Sequence, residues 1–284
     1  MSEKRGRWLV PGRSRLYLGS MKQWIPFLKS EPTVAVVRMS GAIVASGRGL
    51  SDQSLAPLLE KAFRKGKPAA VALVINSPGG SPVQSSLIGA RIRRLAEEKE
   101  IPVYAFVEDV AASGGYWLAS AADEIWADES SILGSIGVIS SNFGLSEFIS
   151  RHGIERRVHT AGKSKSMMDP FQPEKAADVK RLKELLGDIH ESFKAQITAR
   201  RGAKLAEGKD LFTGDIWVGQ KALDVGLIDG IGHLVPKMKE VFGDKVRFRT
   251  YGQKKGLFAR IGARVFDDTL DAVEERAAFA RFGL

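Results

Sequence analysis

The 284-residue chain is 44% hydrophobic, enough to fill the core of one substantial domain, which excludes a disordered or fibrous protein. It has no cysteine, so disulfides and a thiol nucleophile are excluded while the compartment stays open. Its net charge of +10 is uneven: residues 1–31 hold seven Lys or Arg against Glu3 and Glu31.

The first 32 residues read as a basic arm. Trp8, Leu9, Leu16, Tyr17, Leu18, Trp24, Ile25, Phe27 and Leu28 are interleaved with its charges. Such a segment suits an anionic membrane surface, at about 1 kcal/mol per basic residue near the lipid. Packing on a neighbouring subunit accounts for it equally well. No recognisable nucleic-acid module accompanies the charge, so nucleic acid is not an expected partner. No run approaches the roughly 20 apolar residues needed to span a bilayer, and Pro26 and Lys29 interrupt the best candidate. The expectation is a chain without signal peptide or transmembrane segment, cytoplasmic, with peripheral membrane contact through residues 1–31 left open.

Residues 33–250 read as an α/β core. Near-continuous apolar runs predict strands over 34–39, 69–75, 103–107 and 124–126, and helical patterns lie near 51–64, 83–99, 113–121 and 174–201. Apolar strands interleaved with helices argue for a sheet covered on both faces. Residues 251–284 read as a helical extension. Leu257, Ile261, Val265, Leu270, Val273, Ala277 and Ala280 recur near one helical stripe, with Asp267, Asp268, Glu274 and Glu275 mostly off it.

The chemistry-bearing residues cluster around Ser113, in Val110-Ala111-Ala112-Ser113-Gly114-Gly115-Tyr116-Trp117. A serine crowded only by Ala and Gly at a strand-to-helix junction can sit on a sharp turn with its hydroxyl exposed, as a nucleophile requires. The bland alternative is a serine that caps the helix. A nucleophile needs a base, and Lys163 and Lys165 lie downstream, followed by the apolar Met167, Met168 and Phe171. A lysine with its ordinary pKa of about 10.4 is neutral in only about one molecule in 2,500 at pH 7, so burial must supply the difference. His159 with Asp109 or Asp169 would be a Ser-His-Asp alternative, but its Val158-His159-Thr160 context reads as a strand end. His152, His190 and His233 lack partner spacing. No set of residues has metal-ligand spacing, so neither a metal nor a cofactor is expected.

The ordered stretches Asn76-Ser77-Pro78-Gly79-Gly80, Ala112-Ser113-Gly114-Gly115-Tyr116, Leu133-Gly134-Ser135-Ile136-Gly137-Val138, Gly162-Lys163-Ser164-Lys165-Ser166 and Phe212-Thr213-Gly214-Asp215 together resemble the signal peptide peptidase A (SppA) family of serine peptidases, over about residues 33 to 240. The resemblance implies the stacked β-β-α units of the Clp protease and crotonase superfamily. It makes Ser113 the nucleophile, Lys165 the general base with Lys163 its competitor, and Ser135 the hydroxyl that holds the amine. Gly114 and Gly80 would supply the oxyanion-hole N–H groups.

The same resemblance implies an acyl-enzyme endopeptidase acting on extended hydrophobic or signal-peptide-like peptides. One chain is expected to provide both Ser113 and Lys165, although the resemblance also implies homo-oligomers, rings or domes, in which sites can be completed across subunits. Two other readings stay open: a crotonase-like acyl-thioester enzyme, which would need an acyl-CoA pocket and usually a carboxylate, and a non-catalytic scaffold held at the membrane by its basic arm.

Overall fold

The computed structural model describes residues 31–45, 49–162, 165–252 and 276–284. The arm over residues 1–30, Lys163 and most of the 251–284 stripe, from Leu257 to Val273, lie outside the described residues. The chain divides into residues 1–31 and 32–284, and the fold below is that of the second unit.

Runs of Val, Ile and Ala build the centre of a sheet: β1 (Thr33–Ser40), β2 (Ala70–Ser77) and β3 (Val103–Ala112) pair in parallel. Their residues alternate between two apolar layers. Val37, Met39, Leu73 and Ile75 face α1 (Asp52–Arg64), α2 (Pro82–Lys99) and α3 (Gly114–Ser120). Val34, Val36, Ala72, Val74 and Phe106 face the other way, onto Met238 of a later helix. Burial on both faces explains why the strands read as continuous apolar runs rather than alternating ones.

β3 is long enough to carry two partners on one edge. Its first half pairs with β4 (Glu124–Ala127), and Val110–Ala112 pair with β5 (Ile132–Gly134). After α4 (Ser146–Arg151) and the 26-residue α5 (Ala176–Arg201), β6 (Ile216–Val218) adds antiparallel to β5. Past α6 (Gly219–Asp224), β7 (Gly230–Ile231) pairs with β4. Finally, α7 (Leu234–Phe242) carries Met238, and β8 (Arg247–Tyr251) closes the far edge beside β1. The eight-stranded sheet with helices on its faces is the Clp protease/crotonase-like α/β fold.

Helix ends follow their sequence. Ser51 and Ser54 form a reciprocal capping box at the start of α1, and Pro82 opens α2 behind Ser81. Arg91 of α2 grips both carboxylate oxygens of Asp52 at 2.7 and 2.8 Å, tying the two helices. Beside this pair, the Arg91 guanidinium holds the Asp52 carboxyl below its usual range.

A second clamp fixes α3, which carries the candidate nucleophile at its start. Arg201, 3% exposed, donates to Asp229 at 2.6 Å and to the Gly226 carbonyl, while the buried Tyr116 hydroxyl of α3 donates to the Leu227 carbonyl at 2.7 Å. Asp229 also accepts from the Ile125 N–H of β4 and from Lys204. Burial opposes the Asp229 charge, but Lys204, the Ile125 N–H and Arg201 outweigh it and hold the carboxyl below its ordinary value. A carboxylate with a depressed folded-state pKa adds stability above its unfolded value of about 3.9, and that stability is lost as pH falls through the folded pKa. Asp229→Asn leaves the buried guanidinium without its counter-charge, so urea denaturation at pH 7 should show a loss of about 3 kcal/mol, shrinking towards acid pH.

Candidate active site

The site forms where the parallel strands end. At the close of β2, Ser77-Pro78-Gly79-Gly80 turns beneath the start of α3. Gly79 and Gly80 adopt φ of 98° and 142°, conformations that an L side chain rarely takes. The turn is locked: Ile43 N–H donates to Gly79 O and Ser81 N–H to Ile43 O, both at 2.8 Å. A Cβ on Gly80 would stand 2.0 Å from the Ile43 carbonyl oxygen, and one on Gly79 would stand 2.8 Å from the Gly114 nitrogen. Only glycine lets the turn approach the strand-to-helix junction this closely.

At that junction Ser113 has φ 52° and ψ −121°, a strained backbone for a non-glycine residue. Its N–H donates to the Gly134 carbonyl at 2.8 Å, and its carbonyl accepts from Tyr116 and Trp117. Ser113 stands at the N-cap position, yet its side chain makes no capping bond. The capping alternative therefore does not describe this serine. Its hydroxyl is thus free of local capping, half-buried on a strained elbow.

The Gly80 and Gly114 N–H groups lie side by side, since a Cβ on Gly114 would sit 3.4 Å from Gly80 N. Among the described residues neither donates to any acceptor. Two unpaired amides beside an unpaired hydroxyl, one of them in the first turn of a helix, form a ready cradle for a developing oxyanion. Gly80→Ala keeps the N–H but should push it out of place, so a reaction that uses this cradle should slow by about 10²- to 10³-fold. Since that Cβ also collides with backbone, the same variant should unfold at lower urea concentration than wild type.

Ser113, Gly114, Gly80 and Ser135 all line one cavity of about 730 Å³. Ser135 has a left-handed φ of 49° immediately after Gly134, and its N–H donates to the Asp215 carbonyl at 2.7 Å. Trp117, Val138, Ile189 and Phe193 give the cavity an apolar wall, with the Trp117 and Phe193 rings 5.1 Å apart. Arg281 and Phe282 border it as well. Two lining residues escaped the sequence reading. Ser85 of α2, fully buried, comes within 2.4 Å of where a Gly114 Cβ would be, and His190 of α5 reaches the wall from a position 77 residues beyond Ser113. Neither stands in a local pattern, so only the tertiary packing reveals them.

Lys165 is placed differently. It is exposed, in a turn over residues 165–168, with its N–H on the Gly162 carbonyl, and it does not line the Ser113 cavity. Met167, Met168 and Phe171 accompany it there. His159 is exposed, in a stretch without strand structure. Asp109 accepts from Asn76, and Asp169 accepts from Arg156 and the Phe171 N–H. None of these three lines the cavity, so the described residues do not assemble a Ser-His-Asp set around Ser113.

The model of peptidase family S49 matches residues 96–241, a stretch that includes Ser113, Gly114, Ser135 and Lys165.

The chain belongs to peptidase family S49.

This S49 chain is 30% identical to the chloroplastic serine protease SPPA of Arabidopsis thaliana over 77% of its own length and 33% of that protein's. It is 31% identical to a putative signal peptide peptidase SppA of Enterococcus faecium, over 57% of its length and 47% of the relative's. A Brucella melitensis protein named Na(+)/H(+) antiporter NhaA is 46% identical over 94% of this chain but over only 39% of its own length. The chain thus spans between a third and a half of the length of these relatives, and the antiporter name speaks for the whole of that longer protein. Among the described residues no helix is long and apolar enough to cross a membrane.

Proposed function

We propose that the protein is a serine endopeptidase in which Ser113 attacks a peptide carbonyl, Lys165 takes its proton, and the Gly80 and Gly114 N–H groups hold the oxyanion. Collapse of the tetrahedral intermediate breaks the C–N bond, and the lysine returns the proton to the leaving amine. Water activated by the same lysine then releases the acyl group from Ser113. The observation that carries this reading is the strained, uncapped Ser113 beside two unpaired amides in one cavity.

Lys165, exposed outside the cavity of its own chain, completes the reading only when a second copy packs against it. Cover by an apolar neighbour favours the neutral base. The segment around Lys165 offers such cover, because Phe143, Phe148, Ile154 and Phe171 leave 84%, 58%, 56% and 37% of their surface exposed. Homo-oligomers with shared sites account for the exposure of these residues. The apolar cavity wall favours extended peptides with apolar side chains near the cut, signal-peptide-like sequences among them.

The test sets peptide chemistry against thioester chemistry. The purified protein is incubated with an unfolded, apolar-rich polypeptide and, separately, with acyl-CoA. Peptide cleavage that a fluorophosphonate abolishes is the expected result. Thioester hydrolysis without peptide cleavage, or neither activity in the assembled protein, would overturn the proposal.

A further inference from the structure

His190 connects α5 to the strap that carries Ser135, a role with no counterpart in the local sequence pattern. The strap over residues 134–137 is tied at successive positions. The Gly134 carbonyl accepts from the Ser113 N–H, the Ser135 N–H donates to Asp215, and the Ser135 carbonyl accepts from the Gly137 N–H at 2.9 Å. The next tie is the Ile136 carbonyl, 3.2 Å from His190 Nε2. A carbonyl can only accept, so Nε2 carries the proton and the donor is the imidazole N–H.

This tie differs from the others in origin. The first three come from the elbow, the β6 approach and the strap itself, whereas His190 reaches in from the middle of a helix. The half of α5 before it is exposed along much of its length, while Phe193 and Ile197 beyond it are buried. His190 thus stands at the last turn before the helix sinks into the core, half-buried and in the wall of the Ser113 cavity. The strap it holds is strained at Ser135, whose φ of 49° lies in the left-handed region. Strained backbone persists only where its surroundings over-determine it. Ile136, fully buried, anchors the strap by its side chain, leaving its carbonyl to be oriented by the imidazole.

We infer that His190 is a positioning residue for the hydrolytic reaction: its Nε2–H fixes the Ile136 peptide and thereby holds the Ser135 hydroxyl towards the cavity. This rests on the Ser113 peptidase reading. The imidazole takes no proton from substrate and touches no reacting atom. It acts through the strap.

The test follows fluorophosphonate labelling of Ser113 at saturating probe, with adducts mapped by mass spectrometry and assembly checked by sedimentation. His190→Leu keeps bulk and loses the donor; His190→Asn keeps an amide one methylene too short; His190→Gln places an amide N–H near the position of Nε2. Leu and Asn should slow the saturated labelling rate about tenfold with half-saturation by the probe unchanged, and Gln should recover most of it. The Asn and Gln pair decides the matter even if Leu does not assemble. Labelling as fast as wild type in Leu and Asn, or a Gln variant as slow as Asn, would overturn the inference while leaving the peptidase reading intact. A wild-type protein that does not label at Ser113 would overturn both.

Discussion

Ser113→Ala should abolish peptide hydrolysis, lowering turnover by at least about 10⁴-fold, with its urea midpoint equal to or above that of wild type. The two expectations have different physical sources. Without the hydroxyl there is no atom to form the acyl-enzyme, and what remains is the modest assistance of the two amides to attack by water. The fold loses nothing, because the Ser113 side chain makes no capping bond to α3. A serine that served as an ordinary N-cap would give the opposite pattern, about 1 kcal/mol of lost stability and unchanged chemistry. Measuring both quantities on one variant therefore separates nucleophile from cap.

Lys165→Ala should be as damaging, since a serine hydroxyl without a base is a poor nucleophile and residues that act as a unit fail together. The more informative result comes from mixing. When Lys165→Ala and Ser113→Ala proteins are dissociated and reassembled together in equal amounts, activity should return to about a quarter of wild type. Half of the sites have an intact serine, and half of those meet an intact lysine from a neighbour. If each chain supplied its own lysine, mixing would restore nothing. The exposed position of Lys165 outside its own chain's cavity leads to the first outcome.

The central strands were legible because they are buried on both faces, which leaves near-continuous apolar runs over 34–39, broken at Arg38, 69–75 and 103–107 that match β1, β2 and β3. Of the peripheral strands, β4 was read as 124–126, and the others were not. β5 and β6 have three residues each and β7 has two, too short for any period to register. β8 is specified by its pairing with β1 from some two hundred residues away. The elbow was legible for a steric reason: a Cβ on Gly115 would stand 2.4 Å from the Ser77 carbonyl oxygen, so the Gly-Gly pair after Ser113 leaves the room this crossing needs. Ser85 and His190 were illegible because α2 and α5 bring them to the cavity from regions without a local signature. For Lys165 the sequence named a residue type and a spacing, but a spacing along the chain does not state which copy's serine the amine meets.

Activation of Ser113 by Lys165 is tested most directly by mass-spectrometric mapping of a fluorophosphonate adduct from about pH 6 to 10 on wild type, Ser113→Ala and Lys165→Ala proteins. The expected result is an adduct on Ser113 whose rate of formation rises with pH, absent from Ser113→Ala and nearly absent from Lys165→Ala. An adduct on another residue, or labelling of Ser113 that proceeds equally fast without Lys165, would contradict it.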